Sequence, residues 1–158
     1  MANGMIGNHP SHGQQVVHNL DTVVTGNVQL GRADSGKVFM CSQAAAVIVN
    51  LPKLSTEIAG WNAKFVLKTA GSNDFTIFAW GLSAAGTGDS GVTNDGDTLI
   101  VKNMSTTDAG DATTTSKDGV FFDASAATVG DSIELFTDGT SWYVTTFVAD
   151  AAHTDDID

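Results

Sequence analysis

Apolar and polar residues alternate in short runs along this chain, and a period of two bounded by turn residues predicts strands rather than helices. The runs are Thr22 to Leu30, Lys37 to Cys41, Ala46 to Leu51, Lys64 to Thr69, Asp74 to Trp80, Thr98 to Asn103, Val120 to Asp123, Ser132 to Thr137 and Ser141 to Val148. Between the last two stands Asp138-Gly139, suited to a two-residue type I′ turn that sets Leu135 opposite Trp142 and Ile133 opposite Val144. A one-residue slip would exchange the faces of this hairpin. Ile133, Leu135, Trp142 and Val144 are therefore expected in the core, with Glu134, Phe136, Ser141 and Tyr143 on the other face. Lys53 to Ala59 predicts one helical turn, with Leu54 and Ile58 four apart and Gly60 placed to end it. The segments 81–96 and 105–119, rich in Gly, Ser, Thr and Asp, are expected to be long loops.

Many short strands separated by turns predict an all-β fold, a single-domain antiparallel β-sandwich or barrel of jelly-roll-like form. The expected domain covers residues 21–149, with an extended N-terminal arm over residues 1–20 and an acidic C-terminal tail over residues 150–158. Gly96-Asp97 and Gly130-Asp131 each lead into a strand, but the spacing does not recur, which argues against a solenoid and for shared strand-start chemistry.

Composition sharpens the picture. A chain of 158 residues can bury roughly 70% of its unfolded surface in one domain. Its polar residues are mostly Gly, Ser, Thr and Asp, poor helix formers that suit strands and turns. Eighteen acids against seven bases give a formal charge of −11, which repels nucleic acid and anionic lipid and attracts a basic partner surface. Cys41 is the only cysteine, so no intrachain disulfide forms, and its apolar setting predicts a buried hydrophobe. No run reaches the roughly 18 apolar residues that span a bilayer, and the polar start lacks the pattern of a signal peptide. Synthesis in a cytoplasm, without membrane attachment, is the expectation.

Candidate chemistry is sparse. Gly88-Asp89-Ser90-Gly91 is similar to the nucleophile region of trypsin-like proteases, yet the histidines are His9, His12, His18 and His153, none in the family's histidine motif. Gly86-Thr87-Gly88-Asp89-Ser90-Gly91 matches the dinucleotide fingerprint in letters, but Val92-Thr93-Asn94-Asp95-Gly96-Asp97 cannot open the helix that fingerprint needs. His9 and His12 fall short of the three or four ligands of a zinc site. Asp95 with Asp97, and Asp108 with Asp111, lack the spacing of a calcium-binding EF-hand loop. The chain is thus expected to be no enzyme and to need no cofactor or metal.

Two stretches resemble virion proteins of tailed bacteriophages. They are Gly36-Lys37-Val38-Phe39 with Ala46-Val47-Ile48-Val49-Asn50-Leu51-Pro52, and the run from Gly130 to Val144, GDSIELFTDGTSWYV. Similar phrasing occurs in head decoration proteins, head fibres and tail-fibre modules, and the small size favours the first. The resemblance implies a capsid decoration or cement protein, often a homotrimer, that sits on the virion surface and clamps the major capsid protein. The alternative is a tail or fibre adhesin domain that binds host-surface carbohydrate or protein; exposed Trp61 and Trp80 would favour it, whereas core or intersubunit packing of both would not. For the capsid contact, Gln14, Gln15, Val16, Val17, His18, Asn19 and Leu20 form a segment able to add a strand to a sheet edge, Val16, His18 and Leu20 facing one way. The same residues could equally be a linker or an edge strand of their own sheet.

Overall fold

The computed structural model describes residues 17–19, 27–80, 97, 99–105, 113–117, 119–149 and 156–157. These residues hold the strands β1 (Val17–Asn19), β2 (Asn27–Gln29), β3 (Lys37–Ser42), β4 (Val47–Asn50), β5 (Asn62–Thr69) and β6 (Phe75–Phe78), then β7 (Leu99–Ser105), β8 (Thr113–Lys117), β9 (Gly119–Phe122), β10 (Ser132–Thr137), β11 (Trp142–Val148) and β12 (Asp156–Ile157). Helix is limited to two single 3-10 turns among the described residues, η1 (Arg32–Asp34) and η2 (Thr56–Ile58). The second is the predicted helical turn, and Gly60 follows it at φ +85°, a backbone state other residues avoid.

The strands form a seven-stranded sheet, order β1-β3-β5-β10-β11-β7-β8, and a five-stranded sheet, order β12-β9-β6-β4-β2. The fold is β-rich, as alternation predicts, but two expectations are corrected. Both sheets are mixed rather than antiparallel, and among the described residues the larger runs from an edge at β1 to an edge at β8 instead of closing as a barrel. From β1 to β6 the chain alternates between the sheets, so neighbours within a sheet are two strands apart in sequence and run parallel. Val17 lies beside Val38 and Asn27 beside Ile48, one repeat of 21 residues in both sheets. The following turn is longer because it holds η2. This coil has solenoid character that no sequence period announces, since every crossover is filled by a strand of the other sheet. A jelly roll, built from antiparallel pairs, is excluded with it.

One hydrophobic core fills the space between the sheets, drawing Phe39, Phe65, Leu135 and Trp142 from the larger and Val49, Phe75, Ile77 and Phe122 from the smaller. The ring of Phe65 lies 6.2 Å from Phe75, an aromatic contact that crosses the gap, and Phe75 lies 6.2 Å from Phe122 within the smaller sheet. Cys41 is fully buried here, as its apolar setting predicts. Gln43, also fully buried, closes one end of the layers. Its amide donates to the carbonyls of Phe122 (2.9 Å) and Asp123 (3.1 Å), while its oxygen accepts the Gly71 N–H.

The hairpin β10–β11 keeps its predicted faces but not its predicted pairs. Leu135 lies opposite Val144 and Thr137 opposite Trp142, a shift of two residues that leaves Ile133, Leu135, Trp142 and Val144 in the core. The cause is a four-residue connection rather than a two-residue one. The Asp138 carboxylate accepts the N–H groups of Thr140 (2.8 Å) and Ser141 (2.9 Å), which draws both into the turn. Gly139 takes φ +94° there, and a Cβ on it would meet the Ser55 carbonyl oxygen at 2.8 Å.

Candidate functional site

The outer face of the seven-stranded sheet is the most distinctive surface among the described residues. Alternation along β5, β10, β11 and β7 sends one set of side chains to the core and the other outward, and the register aligns the outward set in rows across the strands. One row runs Asn62, Phe136, Tyr143, Ile100, and the next runs Val38, Lys64, Glu134, Thr145, Lys102. A third runs Met40, Val66, Ser132, Phe147. Phe136 and Phe147 are 52% and 41% exposed, two of the three large apolar side chains left open to solvent among the described residues; the third is Val129.

These groups hold each other in place. Phe136 and Tyr143 stack at 4.9 Å with their planes 14° apart. Lys64 pairs with Glu134 at 2.7 Å across β5 and β10, and its ammonium sits 5.9 Å from the centre of the Phe147 ring. The Tyr143 hydroxyl donates to Asp138 at 3.0 Å. Asp138 is held far below the usual carboxylate range, first by the Thr140 hydroxyl and then by the N–H groups of Thr140 and Ser141. Tyr143 is raised above 10.0, by its hydrogen bond to that carboxylate and by the negative charge there. The result is a preorganised band of aromatic and charged groups on rigid strands, suited to contact with another macromolecule.

The residues singled out in the sequence fall differently. Val17–Asn19 pair with β3 in parallel, as an edge strand of the chain's own sheet, while Gln14, Gln15, Val16 and Leu20 lie outside the described residues. Trp61 is buried, donates its indole N–H to the Gly31 carbonyl at 3.0 Å and meets Trp142 edge-on, so it offers no stacking surface to a sugar. Trp80 is half-buried. Asp97 uses its carboxylate to accept the Leu54 N–H at 3.0 Å. Ser90, the glycine-rich run around it, Asp95, Asp108, Asp111, His9, His12 and His153 lie outside the described residues.

Among the described residues, no three His, Cys, Asp or Glu side chains stand close enough to share a metal, and no helix is long and apolar enough to cross a membrane. A shallow, open groove lies beside Arg32, Ser35, Glu57 and Trp61, where Arg32 spans the side-chain and backbone oxygens of Glu57 at 2.8 and 2.7 Å. The outer face itself was visible in part: Phe136 and Tyr143 stand at solvent-side positions of the hairpin, where alternation alone would place polar groups. Its neighbours from β5 and β7 were not, because their place follows from the sheet order.

No family model matches the chain, no curated protein matches it, and no solved structure matches it.

Proposed function

We propose that this chain is a virion structural protein of a tailed phage, a capsid decoration or cement protein that binds the outside of the major capsid protein shell and stabilises it. It is made in the host cytoplasm, works on the capsid surface as a homotrimer, and acts by contact rather than by chemistry. The observation that carries the reading is the outer face of the seven-stranded sheet, where Phe136 and Phe147 stay exposed on rigid strands among paired charges. Apolar groups kept together with paired charges on one exposed sheet face support a contact surface. The stretches that resemble phage proteins, Gly36 to Phe39 with Ala46 to Pro52 and Gly130 to Val144, contribute to β3, β10 and β11 of the sheet that builds this surface and to β4 of the other sheet. The segment from Gln14 to Leu20, of which Val17–Asn19 line the sheet edge, is the part proposed to grip the shell.

A second reading rests on one observation. The stacked pair of Phe136 and Tyr143 beside Asp138 is also the kind of platform that sugars use, which fits a tail or fibre adhesin. Purified protein mixed with undecorated heads, with tails and with host cells separates the two. The decoration reading expects saturable binding to heads and a gain in their resistance to heat. Binding confined to tails or cells, blocked by surface polysaccharide, would replace it with the adhesin.

A further inference from the structure

The chain contains three Asp-Gly steps, Asp95–Gly96, Asp118–Gly119 and Asp138–Gly139. Such a step is prone to modify itself, because glycine has no side chain to shield its nitrogen from the carboxyl carbon of the preceding residue. The nitrogen attacks that carbon, the carbon–oxygen bond breaks and water leaves, which closes a five-membered succinimide. Hydrolysis at the other ring carbonyl takes the water back and leaves isoaspartate, an isomer of equal mass whose backbone runs through the β-carbon. The carboxyl reacts as the neutral acid and the nitrogen after losing its proton. Hydrogen bonds at either group therefore bear on the rate.

At Asp138–Gly139 both groups are held. One carboxylate oxygen accepts from the Thr140 N–H (2.8 Å), the Thr140 hydroxyl (2.7 Å) and the Ser141 N–H (2.9 Å), and the other accepts from the Tyr143 hydroxyl (3.0 Å). These bonds favour the anion and keep Asp138 ionised at a pH where an ordinary carboxyl takes up a proton. The Gly139 N–H donates to the Thr137 hydroxyl oxygen at 2.9 Å, and that buried hydroxyl donates in turn to the Ser141 carbonyl at 2.7 Å. Gly139 also abuts the start of η2, where a Cβ on it would meet the Ser55 carbonyl oxygen at 2.8 Å and the Thr56 Cα at 3.2 Å. Ring closure needs the carboxyl carbon to turn away from Thr140 and Ser141 and the glycine N–H to leave Thr137, so it must wait until the tip opens. We infer that Asp138–Gly139 is a spontaneous isomerisation site that the native hairpin tip holds shut, with isoaspartate forming there only from the opened tip. This latch does not depend on what the outer face binds. Its failure would reach that face, because an added backbone atom between Thr137 and Ser141 disturbs the register that sets Phe136 opposite Tyr143.

The test ages the full chain in mildly acidic buffer, folded and in urea, and counts isoaspartate at residue 138 by peptide mapping with fragment-ion mass spectrometry. Asp95 and Asp118 in the urea sample calibrate the rate of an unfolded Asp-Gly step. The expected result is product at residue 138 that forms at least about tenfold more slowly in the folded chain, as for a tip that seldom opens. The double variant Thr140→Ala, Tyr143→Phe removes two of the four donors to Asp138 and keeps the aromatic ring at residue 143. Its folded form should isomerise about threefold faster than the folded unaltered chain, with the rate in urea unchanged. A ratio between urea and folded rates below about tenfold, or no product in urea, overturns the inference. So does a folded double variant that is no faster than the unaltered chain. Should the double variant fail to fold, as its melting curve would show, the comparison of folded and urea-treated unaltered chain decides alone.

Discussion

Tyr143 donates a hydrogen bond from its hydroxyl to the carboxylate of Asp138, five residues back across the tip of the β10–β11 hairpin. The bond holds the aromatic stack to the turn that set the hairpin register, and it ties two titrations together. Tyr143 is the chain's only tyrosine, so its ionisation can be followed without assignment.

Tyrosinate absorbance during alkaline titration should therefore show a midpoint above 10.0 in the native protein, and Asp138→Asn should bring it down toward that value. The signs differ for the two groups. A raised tyrosine pKa contributes stability below pH 10.0 that is lost as pH climbs through the folded value. The lowered Asp138 contributes stability above its ordinary 3.8 that is lost as pH falls below it. A native midpoint at or below 10.0 would mean that the bond does not persist in solution.

Gln43, whose side chain is fully buried, ties the two sheets at one end with three hydrogen bonds. Gln43→Ala should cost about 2–4 kcal/mol, because it strands two carbonyls and an amide as well as removing the bonds. Urea unfolding measures this, with an unchanged slope showing that the native and unfolded states keep their extent.

Trp61 and Trp142 meet at 5.2 Å and 89°, and both are buried. Trp142→Ala should destabilise by about 3–5 kcal/mol through the cavity it leaves. Trp61→Phe keeps much of the packing but loses the bond to Gly31, so about 0.5–1.5 kcal/mol is expected from that bond. Far-ultraviolet circular dichroism should lose the exciton couplet of the two indoles in either variant.

Cys41 is the single thiol and is fully buried, which makes it a built-in reporter of unfolding. A thiol reagent should modify it only as fast as the chain opens, with a rate that follows urea concentration along the unfolding curve. Rapid modification of the native protein would show that the two layers part locally at β3.

Much of this architecture was legible in the sequence, for identifiable reasons. Strands with an apolar side facing a core, such as β5 and β10, declare themselves by alternation. β8, Thr-Thr-Thr-Ser-Lys, has no apolar residue to alternate, and its composition predicts a loop. The three residues of β1 and the two of β12 are strands only because β3 and β9 lie beside them. Strand direction left no mark either, since alternation is the same in parallel and antiparallel ladders. The hairpin faces were legible and its pairs were not, because the Asp138 side chain enlarged the turn by two residues. Likewise Phe136 and Tyr143 stand out on the outer side of the hairpin, but Lys64 and Lys102 join that face through pairing with Glu134 and Thr145, which lie far from them in sequence.

The place of the last hairpin has a consequence for how the protein is made. β10 and β11 are late in the chain yet lie in the middle of the larger sheet, between β5 and β7. On the ribosome, residues 37–69 and 99–117 must therefore wait with open strand edges until residues 132–148 emerge and are threaded between them. A nascent chain cut short before Ser132 is left with two sheet fragments that cannot pair, a substrate for chaperones and proteases. The larger sheet thus stays unfinished until residues 132–148 have been made.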